Sequence, residues 1–168
     1  MKKLTETEIK LSDAAVQMKL ALEKSDSEAV FRSCINSFIS SARSVTMVME
    51  KESAPIPDLK KWYKDEMGDL SKWPVMKFFS NQRTHSIHRA SISPKANSAP
   101  IFDLKIDGID AKSDTGQMYW WTFENADELI PGSSGNVINL CEEYFILLKN
   151  LVAAWLYKMI EIEMSDEN

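Results

Sequence analysis

Two cysteines, two histidines, five glycines and six prolines are spread over 168 residues. So little glycine and proline argues against a turn-rich β architecture and for helices. Cys34 and Cys141 both fall inside apolar periodic segments, where they read as small buried side chains of an intracellular protein. Two cysteines with two distant histidines make no zinc pattern. Uninterrupted apolar runs are lacking as well. The most apolar late stretch, FILLKNLVAAWLYKMI, is broken by Lys149, Asn150 and Lys158, which excludes a bilayer span. The opening MKKLTETEIK has basic residues but no apolar run behind them, unlike a secretory signal. These lacks predict a cytoplasmic chain with no membrane association.

What is present fits one domain, 1–168, with a core of useful size: 44% of the residues are apolar and 27% charged. The formal net charge of −5 argues against a broad nucleic-acid-binding surface, and no DNA partner is expected. The distribution is uneven, however. Residues 70–102 hold Lys72, Lys77, Arg83, Arg89 and Lys95 and no acid, so the remainder, with 15 basic and 25 acidic residues, stands at −10. A local basic patch on an acidic body can hold a phosphate over a small footprint.

Apolar periodicity predicts a first helix over 5–24 with Leu4, Leu11, Ala15, Met18 and Leu22 on its stripe. A second helix over 28–51 has Phe31, Cys34, Ile35, Phe38, Ile39, Ala42 and Val45 as its apolar face. After a loop over 53–58, capped by Asp58, a short third helix follows with Trp62 and Tyr63, weakened or ended by Gly68. Ser71 caps a fourth helix reaching residue 91, with Pro74 in its first turn and Trp73, Val75, Met76, Phe78 and Phe79 as core. A loop over 91–100 leads to alternating Phe102, Leu104 and Ile106, a strand, with a second strand at 117–123. From Val137 the last helix keeps apolar spacing through Ile160 for more than six turns, wide enough to be central or to meet a second subunit. The fold class expected is mainly α, a bundle of four to five helices with a small β-hairpin inserted at about 100–124 before the last helix.

Chemistry concentrates at the end of the fourth helix, where Arg83, His85, His88 and Arg89 lie and both histidines of the chain are found. Arg83 and His88 fall roughly 140° apart on a helix, while Thr84 and His88 share a face that Ser80 extends. An arginine holds phosphate oxygens as a rigid fork of donors. An imidazole titrates near neutrality and can move a proton at an attacking or leaving oxygen. Together they can cleave RNA with no metal: the ribose 2′-OH attacks its own 3′ phosphate, Arg83 stabilises the phosphorane, and His88 moves the proton. No Asp or Glu lies in the stretch to hold magnesium, and neither a metal nor a cofactor is implied. Lys77, Arg89 and, from the second helix, Arg43 are candidate phosphate contacts. Tyr119, Trp120 and Trp121 are candidate stacking platforms for bases. Cations at a helix C-terminus are also favoured by the helix dipole with no function attached.

The segments FRSCINSFISSARSV, LKKWY and WPVMKFFSNQRTHSIH resemble the HEPN superfamily of small helical-bundle domains. Its signature is an arginine, usually followed by a polar residue, then a histidine after a short gap, near the end of a helix that begins with aromatic residues. R-T-H-S-I-H places Arg83 and His88 on those positions. Thr84 stands where Asn, Asp or His is common, and the adjacent His85 can supply the polar group instead. The resemblance spans roughly 29–88 and 136–160 and leaves the hairpin unmatched. It implies a homodimer that joins two motifs in one RNA-cleaving cleft, a metal-independent endoribonuclease of toxin or phage-defence type, held in check by an inhibitory protein partner. Other members are non-catalytic modules. The alternative function is therefore binding of a partner protein or a nucleotide, with the hairpin and last helix as the surface.

Overall fold

The computed structural model describes residues 4–88, 94–100, 117–124 and 126–166, of which 83–88, 99–100, 117–119, 129 and 166 are described in backbone only. The elements are α1 (Glu6–Glu23), α2 (Glu28–Ser53), α3 (Pro57–Leu70), α4 (Pro74–His88), β1 (Lys95–Pro100), β2 (Gln117–Thr122), the single turn α5 (Ala126–Leu129) and α6 (Val137–Asp166). The fold is mainly α, with a two-stranded antiparallel hairpin before the last helix, as the sequence predicts. Among the described residues no helix is long and apolar enough to cross a membrane.

α1 opens on a capping box. The Glu8 amide donates to the Thr5 hydroxyl at 3.1 Å, and the Thr5 amide donates back to the Glu8 carboxylate at 2.8 Å, satisfying two amides that the first turn leaves open. The far end of α2 adds a third partner. Glu52 accepts from the Glu6 amide at 3.0 Å and from the Thr7 hydroxyl at 2.6 Å, so α1 and α2 run antiparallel. The stripe of α1 differs from the expected one. Thr7, Ala14 and Ala21 are buried and Leu11 and Met18 pack on the core, whereas Leu4 and Leu22 are exposed. Small side chains on the facing row let the α2 backbone approach, and that closeness selects the row over the neighbouring one that carries more leucine.

On α2 all seven expected face residues are buried, joined by Thr46, Met49 and Ser53. Prolines open both following helices. Pro57 begins α3 behind Ile56, so Asp58 is not its cap, and the helix runs through Gly68 to Leu70. Pro74 begins α4, where a missing N–H costs nothing. The Lys77 amide donates to the Trp73 carbonyl, which makes Trp73 the boundary residue. Ser71 therefore closes α3, its hydroxyl donating to the Gly68 carbonyl at 3.1 Å, instead of capping α4. Trp73 is 51% exposed, outside the core expected of it, while Val75, Met76, Phe78 and Phe79 are buried.

The hairpin pairs Lys95 with Thr122 through to Pro100 with Gln117. Its first strand thus lies in the stretch that reads as loop; residues 102–107 lie outside the described ones. Small residues such as Ala96 and Ser98 suffice on this strand because the burial falls to its partner. Trp121 stacks on Phe31 with ring centroids 4.8 Å apart, and its Nε1–H donates to the Ser25 carbonyl at 3.0 Å. Trp121 is therefore core and no base platform, Trp120 is half-buried, and the Tyr119 side chain lies outside the described residues. Gly135, at φ +65°, makes the turn into α6. Its carbonyl accepts from the Phe123 amide at 2.9 Å, and Asn136 caps the helix through the Asn139 amide at 3.1 Å.

Two adjoining clusters form the core. In one, Phe79 of α4 stacks on Tyr144 of α6 at 4.5 Å, and Phe38 of α2 meets both edge-on. In the other, Val45, Met49, Leu59 and Trp155 join α2, α3 and α6. Leu11, Met67 and Leu70 pack against both.

Candidate functional site

α4 is one uninterrupted helix from Pro74 to His88. Its aromatic half is clamped in the core by Phe78 and Phe79, both fully buried, so the last turns inherit a fixed direction. Arg83, Thr84, His85 and His88 occupy those turns; their side chains, and the whole of Arg89, lie outside the described residues.

The backbone register still sorts them. At about 100° per residue, Trp73, Lys77, Asn81, Thr84 and His88 follow one another in a single row. The described members of that row, Trp73, Lys77 and Asn81, are exposed. Arg83 falls on a different row, towards the side on which Met76 is buried, and half-buried Ser80 lies between that row and Thr84. Ser80 also has a partner of its own. The rise from Arg83 to His88 is about 7.5 Å. Arg83 and His88 thus both lie in the last turns of α4, on rows that ideal helix geometry sets roughly 140° apart.

α4 itself carries basic residues and no acid, while α5, packed against it, carries the exposed Asp127 and Glu128. Asp69, just before α4, is engaged by Lys72 at 2.7 Å. Lys77 is exposed and sits on the row that leads to His88. Among the described residues, no group of three His, Cys, Asp or Glu side chains is arranged to hold a metal ion. Burial pushes the Cys141 thiol well above its ordinary pKa, and Glu142 adds to the effect. Such a thiol stays protonated, which suits packing and neither nucleophilic attack nor metal ligation.

Arg43 belongs to a different place. Its Nη1 donates to the Thr46 hydroxyl at 2.7 Å, and it lines a cleft of about 370 Å³ between α2 and α3 with Glu50, Tyr63 and Lys64. There the Tyr63 hydroxyl donates to the Thr46 carbonyl at 2.7 Å. Burial, then Glu50, push the Tyr63 phenol up to about 12, with Arg43 pulling the other way. All described partners of Arg43 come from α2 and α3, so the structure does not join it to the α4 end. The wide apolar stripe of α6, which the sequence reads as central or as meeting a second subunit, is split by the structure: Leu148, Leu151, Val152 and Trp155 are buried and Ile146, Tyr157, Ile160 and Met164 are exposed.

The α1–α4 unit coincides with a known family boundary. Residues 3–91 match the family model described as bacteriophage lambda protein ea47. The chain belongs to the phage lambda Ea47 family. Comparison with curated proteins and with solved structures finds no match. In this Ea47-family chain the match begins at the capping box of α1 and ends three residues past His88. It takes in the whole Arg83 to His88 segment and leaves out the hairpin and α6.

Proposed function

We propose that this Ea47-family chain is a HEPN-like, metal-independent endoribonuclease of toxin or phage-defence type, acting in the cytoplasm. The observation that carries the reading is the continuity of α4. One helix anchored by Phe78 and Phe79 holds Arg83 and His88 at a single rigid end, and the flanking exposed cation is Lys77. A rigid mount of this kind is what catalysis by positioning demands.

In the proposed step the 2′-OH attacks the adjacent phosphorus and His88 takes its proton. Arg83 pairs with the non-bridging oxygens as charge builds on them. The P–O5′ bond breaks as His88 passes the proton it took to the departing 5′-oxygen, leaving a 2′,3′-cyclic phosphate on one product and a 5′-hydroxyl on the other. Thr84 and Ser80 offer hydroxyl donors beside the phosphate, and His85 is a second proton carrier. The active form is a homodimer, and an inhibitory protein restrains it. Cleavage of RNA should persist in EDTA, yield cyclic-phosphate or 3′-phosphate ends, and vanish in His88→Ala and Arg83→Ala. Unchanged cleavage by the double variant would remove the assignment.

A further inference from the structure

The fold directs Arg43 away from α4 and into the cleft of about 370 Å³ between α2 and α3. Met47 and Glu50 line that cleft from α2 with it, and Lys64 and Met67 line it from α3. Thr46 and Tyr63, both buried and joined by a hydrogen bond, form its floor. Glu50 raises the pKa of the Tyr63 phenol and Arg43 lowers it, so both charges face that hydroxyl. Yet among the described residues neither of them, nor Lys64, is in an ion pair. Arg43 is half-buried, and its described acceptor is neutral, the Thr46 hydroxyl that Nη1 reaches at 2.7 Å. That bond orients the guanidinium and leaves its Nε–Nη2 edge, which matches two oxygens of one oxyanion, without an acceptor among the described residues. Gly68 adds room. A glycine inside a helix weakens it, and neither packing nor backbone demands one here: an added Cβ would meet nothing within 4 Å, and φ is not positive.

We propose that the α2–α3 cleft binds a small monocarboxylic acid with an apolar body, its carboxylate on the open edge of Arg43 and its body against Met47 and Met67 in the space that Gly68 leaves. Charge sets the class. Arg43 and Lys64 against Glu50 leave the cleft with one positive charge in excess, which a single carboxylate neutralises. A phosphate monoester would bring nearly two negative charges into a cleft that already holds Glu50. The walls set the rest. Met47 is exposed and Met67 half-buried, and flexible thioethers mould themselves to apolar bodies of different outline. The volume falls at the small end of the range for small-molecule sites. The inference is independent of the ribonuclease reading, because it concerns α2 and α3 and needs no RNA.

Titration of the full chain, made with methyl-labelled methionine, with phenylacetate tests it by NMR. The Met47 and Met67 methyl signals, assigned through Met47→Leu and Met67→Leu, should shift saturably with a Kd on the order of 1 mM for so small a probe. Phenylacetamide, which has the same outline without the charge, and phenyl phosphate should both bind several-fold more weakly. Arg43→Gln should weaken phenylacetate by about tenfold or more, and Glu50→Gln should tighten it. Gly68→Leu puts a side chain into the open space and should abolish the shifts with helix content undiminished. Signals that stay still, or that move as much with phenylacetamide or in Gly68→Leu, overturn the site. Tighter binding of phenyl phosphate overturns the carboxylate, and an Arg43→Gln chain that binds as well as wild type overturns the role of Arg43.

Discussion

The indole Nε1–H of Trp155 donates to the Ser53 hydroxyl at 2.9 Å, with both residues wholly buried. Ser53 in turn donates to the Met49 carbonyl at 2.7 Å. The chain of two bonds ties the end of α2 to the middle of α6 inside apolar surroundings, where an unpaired donor has no water to turn to.

Ser53→Ala should accordingly destabilise the fold by about 1–3 kcal/mol, the cost of a buried N–H left without an acceptor. Trp155→Phe leaves Ser53 paired to Met49 and costs packing volume only. Urea unfolding of the two variants checks whether the smaller change at residue 53 rivals the larger one at residue 155.

Glu52 holds the first turn of α1 from a distance of 45 residues in sequence. Glu52→Ala removes an anion from a helix N-terminus and acceptors from two amides, so α1 should fray and global stability fall by about 1–2 kcal/mol. Hydrogen exchange at Glu6 and Thr7 should accelerate before any amide of α2 does.

Tyr63 supplies a pH dependence. Burial, and then Glu50, push its phenol from the ordinary value near 10 up to about 12. Between those values the unfolded chain has lost the phenolic proton while the folded one keeps it. Stability is thus unaffected by this group below about pH 10 and declines as pH rises toward 12. Tyr63→Phe should flatten that part of the stability profile, at a cost of about 1 kcal/mol for the lost bond to the Thr46 carbonyl.

If the proposed ribonuclease reading holds, RNA affinity should separate Lys77 from Arg43. Lys77 shares a row with His88, whereas Arg43 is engaged in the α2–α3 cleft. Lys77→Ala should weaken RNA binding several-fold and lower the salt slope by roughly 0.7 for a single-stranded ligand. Arg43→Ala should leave both unchanged. The reverse pattern would place the RNA path along α2.

Several features were legible because they depend on a single helix. The seven apolar positions of α2 and the inner face of α6 recur at helical spacing, and burial followed them. Pro74 located the first turn of α4, since a residue with no N–H is tolerated there, although the start lies at Pro74 itself and Ser71, read as the cap, closes α3. Arg83 and His88 were placed on one helix end by spacing alone, and the continuity of α4 agrees with that placement. Other features depend on neighbours and were misread. Leu4 and Leu22 look like core but lie one row away from the side that α2 approaches. Lys95–Pro100 has little strand character of its own and becomes a strand because Gln117–Thr122 pairs with it.

What the amino-acid order determined by itself is the set of helices, the apolar stripe most of them carry, and the collection of basic and histidine residues on one of them. Tertiary structure alone decided which row of α1 is inside, which strand partners β2, that Trp121 is core while Trp73 is outside, and that Arg43 serves a separate cleft. The division has a physical cause. Periodicity is a property of one element and survives in the linear sequence, whereas the choice between adjacent rows is made by how closely another backbone can approach.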